Sequence, residues 1–195
     1  MRLHSKLAVL PLSIGLLFSM AGCSPAESPS GQIVIGHKAS VQRLDPASIF
    51  GVDNQEVMFQ AFGSLFNAMP GSLELQPDLA ESGEFISPRE FKVVVRQGLK
   101  FSNGNTLDAS DVKHSIDRMK VIDDVNGPQV LLQYLQEVQM QDSQTLIFKL
   151  ANDYDQTFLQ VLSSVAAVIV DEEVFPEDRV LDREAIIAGL CLIHI

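Results

Sequence analysis

Tryptophan is absent from the 195 residues, and cysteine occurs only at Cys23 and Cys191. Two cysteines cannot make a disulfide framework, so the fold must rest on a buried core, for which the chain is long enough. Positive charge is scarce too. Fourteen Lys and Arg stand against 25 Asp and Glu, a formal charge of -11, and the basic residues are scattered. Without a basic patch, a nucleic-acid partner is excluded. Histidine occurs four times, at His4, His37, His114 and His194, with no HExxH spacing and no partner cysteine. No zinc site follows. His114 therefore reads as a half-exposed structural residue.

The remaining absences concern catalysis. No GxxxxGK, GxSxG or GxGxxG segment occurs, so no phosphate cradle or nucleophile elbow is indicated. A calcium loop fails at Asp124, Asn126 and Gly127, because Ile122 and Gln133 occupy its first and twelfth positions. It fails at Asp153 and Asp155 as well, where Phe158 stands in place of the required glycine. The run Asp171-Glu172-Glu173 reads as a solvated loop. No catalytic residue, no metal and no cofactor is expected, and the chain is not read as an enzyme.

What is present is organised around residues 91–119. Phe91, Val93 and Val95 alternate with Lys92, Val94 and Arg96, the period of a strand with one apolar face. Gln97-Gly98 is a turn; Leu99 and Phe101 resume the alternation, and Asn103-Gly104 turns the chain again. The period then lengthens. Asp108 is placed to cap a helix, and Asp111 completes a capping box with Asp in place of Glu. Val112, Ile116 and Met119 follow at helical spacing as a core stripe, with Lys113, Asp117 and Lys120 outside.

These residues also resemble a known family. Lys100-Phe101-Ser102-Asn103-Gly104, Leu107, Ala109, Asp111-Val112-Lys113, Ser115 and Asp117-Arg118 are similar to the signature of family 5 extracellular solute-binding proteins, which serve importers of peptides, nickel and related solutes. Asn103 replaces the usual Asp, Asp108 the capping Thr and His114 an aromatic. Leu44-Asp45-Pro46 and residues 75–82 fit the same family, although its expected tryptophan is Gly83 here, a lost aromatic contact. The resemblance implies an α/β fold of the periplasmic-binding-protein-like type II class with an extra accessory subdomain, at about 47–170. It implies a peptide or similar small solute as ligand, an ABC permease as partner, and a monomer. Ala39 and Ser40, just after the first strand, are the candidate ligand contacts.

Taken in order, residues 1–22 are a targeting segment. Arg2 and Lys6 precede an apolar stretch over 7–18 that is shorter than the roughly 20 residues a bilayer needs. Ser19-Met20-Ala21-Gly22-Cys23 resembles a lipobox, which makes Cys23 the lipidated residue of a membrane-anchored, extracytoplasmic lipoprotein. Cleavage there removes two positive and no negative side chains, taking the formal charge from -11 to -13. Such a surface does not favour anionic lipid, so the acyl chains must hold it.

Residues 24–32 read as a flexible tether, and the solute-binding part begins at 33. Expected elements are a strand over 33–36, a helix over 54–66 with Met58, Phe62 and Leu65 inward, and a loop over 71–80. Beyond the central stretch come a loop over 123–128, a short helix over 130–135, and strands carrying Val138 and Met140, then Leu146, Phe148 and Leu150, joined at Asp142-Ser143. A short helix over 157–162 presents Phe158, Leu159 and Leu162 inward, and 166–170 is a strand candidate. A helix is expected over 181–190. The apolar end over 188–195 stops short of the second lobe typical of the family, so the chain is read as truncated. A receptor is the first reading. A non-transporting lipoprotein module and a non-functional remnant are the alternatives.

Overall fold

Alternation of apolar residues builds the centre of the molecule. A computed structural model describes residues 43–69, 71–72, 74–182 and 186, all within one compact unit. Its main sheet is antiparallel, with β3 (Ala80–Ser87), β4 (Glu90–Val95), β6 (Thr145–Leu150) and β5 (Leu135–Met140) in that spatial order. Phe91 lies opposite Phe148 and Val93 opposite Leu146, so the alternating apolar positions share one face, as expected. The opposite face meets solvent, with Lys92–Glu84 and Lys149–Glu137 paired across strands.

Helix α2 (Ala109–Ile122) covers the apolar face. Both halves of the capping box form: Asp108 accepts from the first turn, and Asp111 accepts from the Asp108 backbone N–H at 3.0 Å. Val112, Ile116 and Met119 are buried against the sheet. Helix α3 (Gln156–Val161) is capped by Asp155 and buries Phe158 and, just beyond its end, Leu162. The Gln97-Gly98 turn places Gly98 at φ +78°, where a side chain is disfavoured. No helix among the described residues is long and apolar enough to cross a membrane.

Tertiary contacts override several sequence expectations. Helix α1 (Val52–Ala61) ends five residues early: Phe62 is extended, and the Gly63 carbonyl accepts from Ile169 N–H. Met58, Phe62 and Leu65 are still buried. Part of the expected 71–80 loop is strand β2 (Leu75–Pro77), paired with β1 (Phe66–Ala68); three residues are too few to show a period. Strand β3, absent from the expectations, is an edge strand with two register shifts and mostly exposed side chains, so it has no clean alternation. The expected helix over 130–135 is a 3-10 turn at Pro128–Leu132, and Leu135 already belongs to β5. The 166–170 run is not a strand. Val165–Ala167 tightens into a 3-10 turn, and only Val168 bridges, to Ser64. A short apolar run buried on all sides does not distinguish these outcomes. Residues 1–42 and most of 181–190 lie outside the described residues, although Ile186 is buried and helical.

Gly83 is also explained. It lies opposite Val93 and is itself exposed, but a Cβ there would come within 2.7 Å of the Phe66 ring and 2.8 Å of the Phe91 ring. Phe91 makes edge contacts with Phe66, Phe85 and Phe158. Phenylalanines thus fill the space over Gly83, and the missing tryptophan leaves no hole there. Gly83→Ala should overpack this cluster and lower stability by about 1–3 kcal/mol. An unchanged urea midpoint would show that the rings move aside freely.

Candidate functional site

Three of the buried polar side chains share one face of α2. Asp111, Ser115 and Arg118 recur at i, i+4 and i+7, beside the apolar stripe and turned about 100° from it. All three are buried, under the irregular segment 170–181. Asp111 accepts from Glu172 N–H at 3.1 Å, and Ser115 Oγ accepts from Val170 N–H at 2.9 Å. His114, one position off the stripe, bonds the Phe175 carbonyl through Nε2 at 2.7 Å. It is half-buried and structural, as expected.

Arg118 carries the largest electrostatic commitment. Its Nη1 and Nη2 donate to Asp45 Oδ1 and Oδ2 at 2.8 and 2.6 Å, while Nε and Nη2 donate to the carbonyls of Pro176 and Arg179. The Phe175 ring lies 5.4 Å from its guanidinium carbon. Asp45 is equally saturated, accepting also from the N–H groups of Ala47 and Leu181. Both side chains are almost fully buried, at 1% and 0% exposure. A fork-to-fork pair with every remaining acceptor filled is the form in which a buried ion pair is tolerated. It ties together residues 45, 118 and 181. Nothing local in the sequence pairs Asp45 with Arg118; the readable signal is an arginine on the i+7 position of a stripe that also holds Asp111 and Ser115.

At the other end of the stripe lies a polar cleft of about 250 Å³, lined by Asp108, Ser110, Asp111, Asp171, Glu172 and Glu173 with Asn105 and Thr106. Here the expectation of a solvated acidic loop needs correction. Asp171 is buried and accepts from the side-chain amides of Asn103 and Asn105 at 2.7 and 2.8 Å; only Glu172 and Glu173 are exposed. Burial pushes the Asp111 carboxyl up to about 6, against the hydrogen bonds from Asp108 and Glu172 and with the charges of Glu172 and Asp171 adding to the rise. A second cleft, of about 340 Å³, lies between Arg96, Gly98, Leu107, Asp108 and Gln144. Among the described residues no group of His, Cys, Asp and Glu is arranged to hold a metal ion. Cys23, Ala39 and Ser40 lie outside the described residues.

The fold is shared with known proteins. A family model described as bacterial extracellular solute-binding proteins, family 5 Middle, matches residues 74–188, more than half of the chain. The chain belongs to this family. Within it, the probable D,D-dipeptide-binding periplasmic protein DdpA of Escherichia coli K12 is 26% identical over 168 residues, spanning 84% of this chain and 32% of DdpA. A dipeptide binding protein from Pseudoalteromonas sp. SM9913, solved with Met-Leu, is similar in shape with a TM-score of 0.59 at 18% identity. The match covers 67% of this chain and 29% of that one. NikA from Brucella suis, solved with Fe(III)-EDTA, gives 0.59 at 20% identity, covering 71% of this chain and 28% of NikA. The chain therefore spans about a third or less of the length of these relatives. Its mixed α/β fold is part of the periplasmic-binding-protein-like type II architecture of family 5.

Proposed function

We propose that this chain is the N-terminal part of the substrate-binding component of an ABC importer for peptides or a related solute. A lipid on Cys23 holds it on the extracytoplasmic face of the membrane, where it would meet its permease as a monomer. The observation that carries this reading is the family match over residues 74–188, which includes the sheet, α2 and the segment laid over it. The likeness to a probable D,D-dipeptide-binding protein supports a peptide-like ligand. On this reading, residues 47–170 are the accessory subdomain, and Ala39 and Ser40 belong to the contact surface of the main lobe.

A receptor that feeds a permease must sit outside the cytoplasmic membrane, so location is tested first. The intact chain should carry lipid label and fractionate with membrane, since two acyl chains suffice for stable anchoring. Cys23→Ala should lose the label and move to the soluble fraction. Equal labelling and equal membrane association of the two would sink the anchoring proposal.

A further inference from the structure

The two ends of the segment over α2 are held differently. Near residues 176–181 the acid of Asp45 is matched by the base of Arg118. Near residues 171–173 the cleft lining holds no Lys, Arg or His. The cleft that Asp111 faces is lined by Asp108, Asp171, Glu172 and Glu173, and its other lining groups, Asn105, Thr106 and Ser110, are neutral. On α2 itself Lys113 pairs with Asp117, and His114 is committed to the Phe175 carbonyl. Asn103 and Asn105 donate to Asp171 but bring no charge. Residues 171–175 form no helix or strand. Their polar hold on α2 is a few side-chain bonds: Asp111 to Glu172 N–H, Ser110 Oγ to the Glu172 carboxylate at 2.8 Å, and His114 to Phe175; the buried Phe175 ring, against Arg118 and Phe62, anchors the far end.

We propose that residues 171–175 are a pH-operated latch on α2, closed while Asp111 holds a proton and loosened when Asp111 is ionised beside Asp171 and Glu172. A neutral Asp111 keeps acceptor capacity for the Asp108 and Glu172 N–H groups and gains an O–H that a neighbouring carboxylate can accept. An ionised one adds a buried like charge to the cleft.

The direction of the pH dependence follows from the two states. The closed form holds the carboxyl at about 6, against its ordinary 3.8. With the latch open, Asp111 is solvated and returns toward that ordinary value. The closed form therefore binds the proton more tightly. Its advantage is complete below about pH 4, falls between about 4 and 6, and is level above. Two pKa units correspond to a change of up to about a hundredfold in the closing equilibrium.

Amide hydrogen exchange on the full chain tests this between pH 3.5 and 7.5, corrected for intrinsic exchange rates. Protection at Glu172, Val174 and Phe175 is read against Val93 and Val95 of β4. The ratio should fall by up to about a hundredfold from pH 4 to 6.5 and then stay level. Asp111→Asn should abolish the change. Glu172→Gln, at an exposed position, should move the transition to lower pH, and it decides the matter if Asp111→Asn does not fold. A ratio that stays constant with pH in the parent, or a transition that Glu172→Gln leaves in place, would overturn the latch.

Discussion

Arg118→Leu is expected to lower the stability of the domain by about 3–5 kcal/mol, the largest effect of any single substitution considered for this chain. The leucine would occupy the space without difficulty. The damage comes from Asp45, whose carboxylate has no exposure and would lose both guanidinium bonds while keeping only the N–H groups of Ala47 and Leu181. The carbonyls of Pro176 and Arg179 would lose their donor as well. A second substitution, Asp45→Leu, should restore part of the loss, because an uncompensated buried charge is costlier than an apolar replacement of the pair. Recovery should be incomplete, since Ala47 and Leu181 would then lack an acceptor. Urea denaturation of the parent and the two variants measures both steps. A loss below about 1 kcal/mol for Arg118→Leu would mean that water reaches the pair.

Ile116→Ala should cost about 2–5 kcal/mol. Ile116 has no exposed surface and sits in the middle of the stripe that α2 presses on the sheet. Its truncation removes three methylene-sized groups from a site walled by secondary structure on two sides, where relaxation is limited. Val121, on the same helix but 54% exposed, is the control, and Val121→Ala should stay within about 0.5 kcal/mol of the parent. Equal urea midpoints for the two variants would remove α2 from the core. Thermal melts give a second readout, since a loss of this size in a domain of this length shifts Tm by several degrees.

The parts of the fold that were legible in the sequence are those with a repeated local signal. The alternation in β4 and β6, the Gly98 turn, the Asp108 capping box and the apolar stripe of α2 each repeat or close within a few residues. What was not legible depends on distant partners. Helix α1 stops where it does because Gly63 is needed as an acceptor for Ile169, more than a hundred residues later. Edge strand β3 has little apolar pattern because its outer side is solvated. The burial of Asp171 rests on Asn103 and Asn105 across the chain, and nothing in Asp171-Glu172-Glu173 itself distinguishes one buried acid from two exposed ones.

The polar face of α2 is an intermediate case. Asp111, Ser115 and Arg118 were marked by the resemblance to family 5, and their spacing places them on one stripe. Their chemistry became visible only when the segment 170–181 was seen to lie over them. The resemblance names these three only as letters of a motif, whereas the site contacts it implies, Ala39 and Ser40, lie outside the described residues. The departure of Gly83 from the family pattern read as a lost contact, whereas the rings of Phe66 and Phe91 occupy the space a side chain would need.

The central expectation is that the described residues carry the scaffold of a family 5 receptor but not, by themselves, an enclosed solute site. The acidic cleft beside Asp111 is lined largely by polar groups, unlike the mostly apolar enclosures that bury a ligand. A peptide lying on such a surface would keep its backbone and termini wet, with little gained to offset lost rotational freedom and ordering. Isothermal titration of the purified chain against a mixed di- to pentapeptide library tests this most directly. The account predicts no saturable heat at micromolar concentrations. Saturable micromolar binding by this chain alone would contradict it and place a solute site within these 195 residues.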